Sequence, residues 1–83
     1  MKDYCVEILV KLKDEIKDVK GETLTQVIFN SFGGKNLNCR CGNHYTIDFS
    51  AENDELAKSY VDKLASQILA NDVIEIYDIT WVK

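Results

Sequence analysis

The chain has no proline, a single histidine, and no apolar run approaching the 18 or so residues that a membrane span requires. No linker, repeat or low-complexity tract interrupts it, which leaves no room for a second domain. Basic residues are the scarcer charge. Ten Lys and Arg stand against 14 Asp and Glu, for a formal net charge of −4. A field of that sign repels phosphate backbones and anionic lipid, both of which are bound through clustered Lys and Arg, so nucleic acid and membrane surfaces are excluded as partners. The N-terminus alternates like a strand where a secretory signal would carry an unbroken apolar stretch. The three cysteines Cys5, Cys39 and Cys41 do not form the even, well-spaced set of a secreted disulfide framework, so reduced thiols are expected. These absences predict one cytosolic domain spanning residues 1–83.

What is present is a globular composition, 46% hydrophobic and 29% charged. A chain of 83 residues buries only about 60–65% of the surface its unfolded form exposes. Its own core therefore gives a thin margin, and a homodimer or a dimer of dimers is the expected supplement.

From Tyr4 to Leu12 the even positions are all apolar, the period of a half-buried strand. Leu24, Val27, Ile28 and Phe32 then fall at helical spacing, and Gly33-Gly34 supplies the stop. Leu37, Cys39 and Cys41 alternate, as do Tyr45, Ile47 and Phe49, which predicts a hairpin across Gly42-Asn43. A two-residue turn there would pair Cys41 with His44 and split the apolar sets between faces. A longer loop or bulge pairs Cys39 with Ile47 on one face and is favoured. Asn53, Asp54 and Glu55 suit a helix start, and the stripe Leu56, Ala57, Tyr60, Val61, Leu64, Ile68, Leu69 continues to Asn71. Val73 to Val82 closes the chain as a strand apolar on both faces, expected to be covered on both. The order predicts an α+β, ferredoxin-like βαββαβ fold: a four-stranded, mostly antiparallel sheet with both helices on one face and the other face open to a partner.

No catalytic or metal site emerges. Cys39, Cys41 and His44 lack the second ligand pair and the spacing of structural zinc. His44 has no orienting third group for nucleophilic work. The loop after the first strand, Lys13 to Asp18, alternates sign where an anion-cradling loop would not. Neither the cysteine pair that copper chaperones of this fold carry between strand one and helix one, nor the exposed aromatics on central strands with a basic surround of RNA-binding domains, is present. Arg40 and Lys35 read as solvated edge residues.

Three segments together resemble the PurS family over nearly the whole chain. Asp18-Val19-Lys20-Gly21 is similar to the family's Asp-Pro-x-Gly, and Arg40-Cys41-Gly42 to its Val-Arg-x-Gly, with Asn43 where the family has a hairpin lysine. Ile68-Leu69-Ala70-Asn71-Asp72-Val73-Ile74-Glu75-Ile76-Tyr77 resembles Leu-Leu-Ala-Asn-Pro-Val-Ile-Glu-x-Tyr, with Asp72 for proline. The resemblance implies the small, non-catalytic subunit of phosphoribosylformylglycinamidine synthase in purine biosynthesis. Such a subunit bridges a PurQ-type glutaminase and a PurL-type synthetase and assists ammonia transfer. It binds no cofactor, ATP and magnesium being used by the larger subunits. Arg40, Gly42, Asn71, Glu75 and Tyr77 are then the candidate dimer or partner contacts. Asn71 and Glu75 also admit a purely structural reading, as a helix end and a solvated strand residue. The alternative class is an ACT-like regulatory module of the same topology, although its ligand loop is usually glycine-containing and this one has no glycine before Gly21.

Overall fold

The computed structural model describes residues 1–83. Its sheet has three strands in the order β2-β1-β3, with β1 (Lys2–Leu12) paired antiparallel to both β2 (Gly42–Ala51) and β3 (Glu75–Trp81). One parity governs every pairing. Tyr4 lies opposite Phe49, Val6 opposite Ile47 and Trp81, Ile8 opposite Tyr45 and Ile79, and Val10 opposite Tyr77. Because strand side chains alternate, this register sends all these apolar groups to one face, where Val6, Ile8 and Val10 are fully buried.

That face is covered by α2 (Asp54–Leu64), whose first turn is capped by the Asn53 side chain accepting from the Leu56 amide at 2.9 Å. The helix lays Ala57, Val61 and Ala65 on the strands, one residue per turn, and small side chains let it approach closely. At Ala65–Leu69 it widens into a π turn, in which the Ala70 N–H reaches back five residues to the Ala65 carbonyl. This turn brings Leu69 and Ala70 onto the core. Aromatic rings close the far end of the sheet, Tyr4 stacking on Phe49 at 5.4 Å and Phe49 tilting against Tyr60 at 4.9 Å.

The expected hairpin is absent, and its absence explains the rest of the departure from a ferredoxin-like sheet. Residues 37–41 are not a strand, Gly42 and Asn43 are the first two residues of β2 rather than a turn, and His44 and Ile47 pair with Leu9 and Val6. With one strand removed, β1 and β2 become antiparallel neighbours. Their connection therefore leaves and re-enters at the same end of the sheet, so α1 (Val19–Phe32) need not cross a face. β2 and β3 run parallel to each other on either side of β1, so their connection must traverse the sheet, and α2 does so. The result is α+β with three strands, one covering helix, and a second helix that contributes nothing to the core. β3 is also not covered on both faces, since Ile76 and Val82 stay exposed. The ACT-like alternative loses the four-stranded topology on which it rested.

The molecule is 52 × 26 × 15 Å, with a Cα radius of gyration of 16.5 Å, against about 12 Å for a compact chain of this length. Only ten residues are buried, which makes each of them costly to lose. Ile8→Ala removes a fully buried side chain at the centre of the sheet and is expected to cost about 2–5 kcal/mol. Urea unfolding followed by Trp81 fluorescence measures this loss.

Candidate functional site

The motif residues gather at the end of the sheet where the 13–18 loop, the start of α1, the 39–41 segment and the start of β2 meet. Asp18 organises this junction. It is the N-cap of α1, and its buried carboxylate accepts from the Gly21 amide at 2.8 Å and from the Cys41 amide at 2.6 Å. One side chain thereby ties the helix start to the entry of β2. The N–H bonds from Cys41 and then Gly21 hold the Asp18 carboxyl below the usual carboxylate range, against the opposing effect of its burial. Gly21 is required by close approach. A Cβ there would strike the Cys39 carbonyl, and Gly21 is the only buried residue of α1. Thr25 completes the contact, its hydroxyl accepting from the Cys39 amide at 2.9 Å.

Arg40 is placed at this junction, with its guanidinium donating to the carbonyls of Ile16 at 3.0 Å and Lys13 at 2.9 Å, so it staples the loop while remaining exposed. Gly42 sits opposite Lys11, and a Cβ on it would lie 2.6 Å from the Val10 carbonyl. Asn71 and Glu75 share one turn. The Glu75 carboxylate accepts from the Asn71 amide at 2.7 Å, and the Asn71 side chain accepts from the Val73 amide at 3.1 Å. Asn71 is not in the left-handed conformation; the helical run already ends at the extended Ala70, and the Asn71 side chain shapes the turn that follows. Tyr77 faces the covered side, half-buried opposite Val10. Arg40, Gly42 and Glu75 are thus brought to one end of the molecule, where Gly42 and Glu75 line an open groove of about 210 Å³ together with Asp18, Lys20, Asn43 and Cys41. Burial, then the Asp18 carboxylate, then the Cys39 thiol push the Cys41 thiol up.

Sequence reasoning did not identify the second feature, the outward apolar surface. Along α1, Val27 is 53% and Phe32 90% exposed, with Leu24 and Phe29 also open. On α2 and its π turn, Leu56, Tyr60 and Ile68 form a second outward row. The periodicity of these helices was readable, but whether their stripes met this chain's own sheet was not. Asp18 as the clamp did carry a local signal, an acid three residues before Gly21 at a helix start.

Residues 5–83 match the model of the PurS family, described as phosphoribosylformylglycinamidine (FGAM) synthase. The chain is 30% identical over 70 residues to the phosphoribosylformylglycinamidine synthase subunit PurS of Thermotoga maritima, covering 84% of this chain and 85% of that one. Its fold matches a chain in the structure of PurLQS from Thermotoga maritima with a TM-score of 0.88 and 28% identity, over 99% of this chain and 100% of that one. It also matches PurS of Methanocaldococcus jannaschii, one of the subunits of formylglycinamide ribonucleotide amidotransferase in the purine biosynthetic pathway, with a TM-score of 0.76 and 28% identity over 96% of each chain.

The Asp18 clamp predicts a pH dependence of defined sign. A carboxylate whose pKa is depressed on folding contributes stability that is present above its unfolded value, near 3.8, and lost as pH falls through the lower folded value. The protection factors of the Gly21 and Cys41 amides, taken from NMR exchange rates corrected for the intrinsic pH dependence of exchange, are expected to fall in that acid window. At neutral pH, Asp18→Ala is expected to raise exchange at both amides about tenfold while leaving Val6 and Ile8 protected.

Proposed function

The chain belongs to the PurS family, and from that membership we propose that it is the small, non-catalytic subunit of a phosphoribosylformylglycinamidine synthase, bridging PurQ-type glutaminase and PurL-type synthetase subunits and assisting ammonia transfer between them. The observation that most supports this reading is the end-to-end correspondence with the chain in the Thermotoga PurLQS assembly. For its part in the synthase the chain itself needs no cofactor, while ATP and magnesium are used by the larger subunits, and the complex works in the cytoplasm. A chain that turns its apolar side chains outward and its one buried acid to structural use is built for association rather than for chemistry.

The homo-oligomer is part of this proposal. The exposed rows on α1 and α2 are too apolar to stay in water on a chain with ten buried residues, and a second copy offers the same rows in return. The motif residues Arg40, Gly42, Asn71 and Glu75 form the partner-facing set, in which hydrogen bonds and charge fix orientation more than they add affinity, whereas Tyr77, expected in the same set, is turned onto the core.

The purified chain alone is expected neither to hydrolyse glutamine nor to consume ATP. Added to PurL-type and PurQ-type partners, it is expected to raise glutamine-dependent turnover severalfold, and excess ammonia should partly bypass the need for it. Turnover unaffected by the chain refutes the bridging role. Glu75→Gln keeps an acceptor for the Asn71 amide and removes only the charge, so weaker assembly with unchanged thermal stability is the expected result if a basic partner group faces it. Light scattering tests the oligomer separately. Val27→Glu combined with Phe32→Glu is expected to yield monomer with an intact β-sheet circular dichroism signal, because neither residue touches the core.

A further inference from the structure

The segment Cys39-Arg40-Cys41 lies outside both the sheet and the core. Its backbone is extended, as shown by the amides of Cys39 and Cys41, which both turn to the start of α1, one to the Thr25 hydroxyl and one to the Asp18 carboxylate. Alternate N–H groups point the same way in extended chain, and there the side chains of residues i and i+2 leave from one side while that of i+1 leaves from the other. Arg40 is the odd one out, tied by its guanidinium to Lys13 and Ile16. The thiols of Cys39 and Cys41 therefore share the opposite side. Both are free and half-buried, and Cys41 opens into the 210 Å³ groove.

The separation selects the chemistry. Alternate Cα atoms of an extended segment stand about 6.7 Å apart, at the upper end of the disulfide range, so closing an S–S bond would pull the segment off its clamps. A single ion bound linearly by two thiolates instead sits between the sulfurs, which need not approach to bonding distance, and so fits the extended backbone. Two thiolates are too few for zinc, which takes four ligands, and no group of three or more ligating side chains is assembled anywhere in the chain. Soft, low-coordinate monovalent copper is the ion that two thiolates satisfy.

We propose that Cys39 and Cys41 form a two-thiolate site for one copper(I) ion per chain. Binding forms two copper–sulfur bonds and releases the two thiol protons to solvent. The ion enters and stays as copper(I), so no electron is transferred. The site is independent of the role in the synthase, and either reading can fail without the other.

The test is anaerobic titration of the reduced, full chain with copper(I) against a coloured copper(I) chelator. One equivalent per chain is expected. Cys39→Ser and Cys41→Ser are each expected to lower affinity about a hundredfold, since each leaves a single thiolate, whereas Cys5→Ser leaves it unchanged. Half an equivalent per chain, or loss of binding through Cys5→Ser, overturns the proposal. X-ray absorption on the loaded parent chain needs no variant to fold. Two sulfur neighbours support the site, and a nitrogen, oxygen or four-sulfur shell overturns it.

Discussion

Every feature of this molecule follows from its central strand being paired on both edges with antiparallel neighbours. β1 then needs its connection to β2 only to return to the same end of the sheet, while β2 and β3, parallel across it, need theirs to cross. One helix is obliged to cover the core and the other is released from it. The released helix holds some of the chain's largest apolar groups, which leaves ten residues to hold the fold and puts Phe29 and Phe32 in water. For a chain this short, association completes a structure that the monomer leaves unfinished.

The parts of the fold that the sequence made legible are those where the local period reports a real neighbour. The alternation of Tyr4 to Leu12 and of Tyr45 to Phe49 meets its partner strands in register, and Asn53 caps the helix whose Ala57 and Val61 reach the sheet. The Gly33 stop is equally local, with positive φ and its amide closing on Phe29. Residues 37–41 misled because they alternate like a strand. Their amides are claimed instead by side-chain acceptors, Thr25 and Asp18, 14 and 23 residues away in sequence, and no local pattern announces such a competitor. The π turn at Ala65–Leu69 is hidden for the same reason, since the stripe reads nearly alike with one extra residue per turn.

At the junction, sequence likeness located the residues but not their work. Arg40 carries the charge expected of a partner contact and spends its donors on two carbonyls of its own chain. Asn71 and Glu75 satisfy each other around one turn. Residues with such internal duties can also face a partner, because the clamped backbone presents the same atoms in the same place each time, the preorganisation that lowers the entropy lost on docking.

The clamp at Asp18 has a mechanical meaning. α1 is held at its base by Asp18 and Gly21 and again at Thr25, and it projects beyond Thr25 for about 10 Å, seven residues at 1.5 Å each. A tilt of about 10° at that upper anchor swings Phe32 through roughly 2 Å, enough to break a contact at the tip. Two hydrogen bonds to one carboxylate, a glycine pressed against a carbonyl and the Thr25 hydroxyl therefore set together the aim of a tip that has no place in the core.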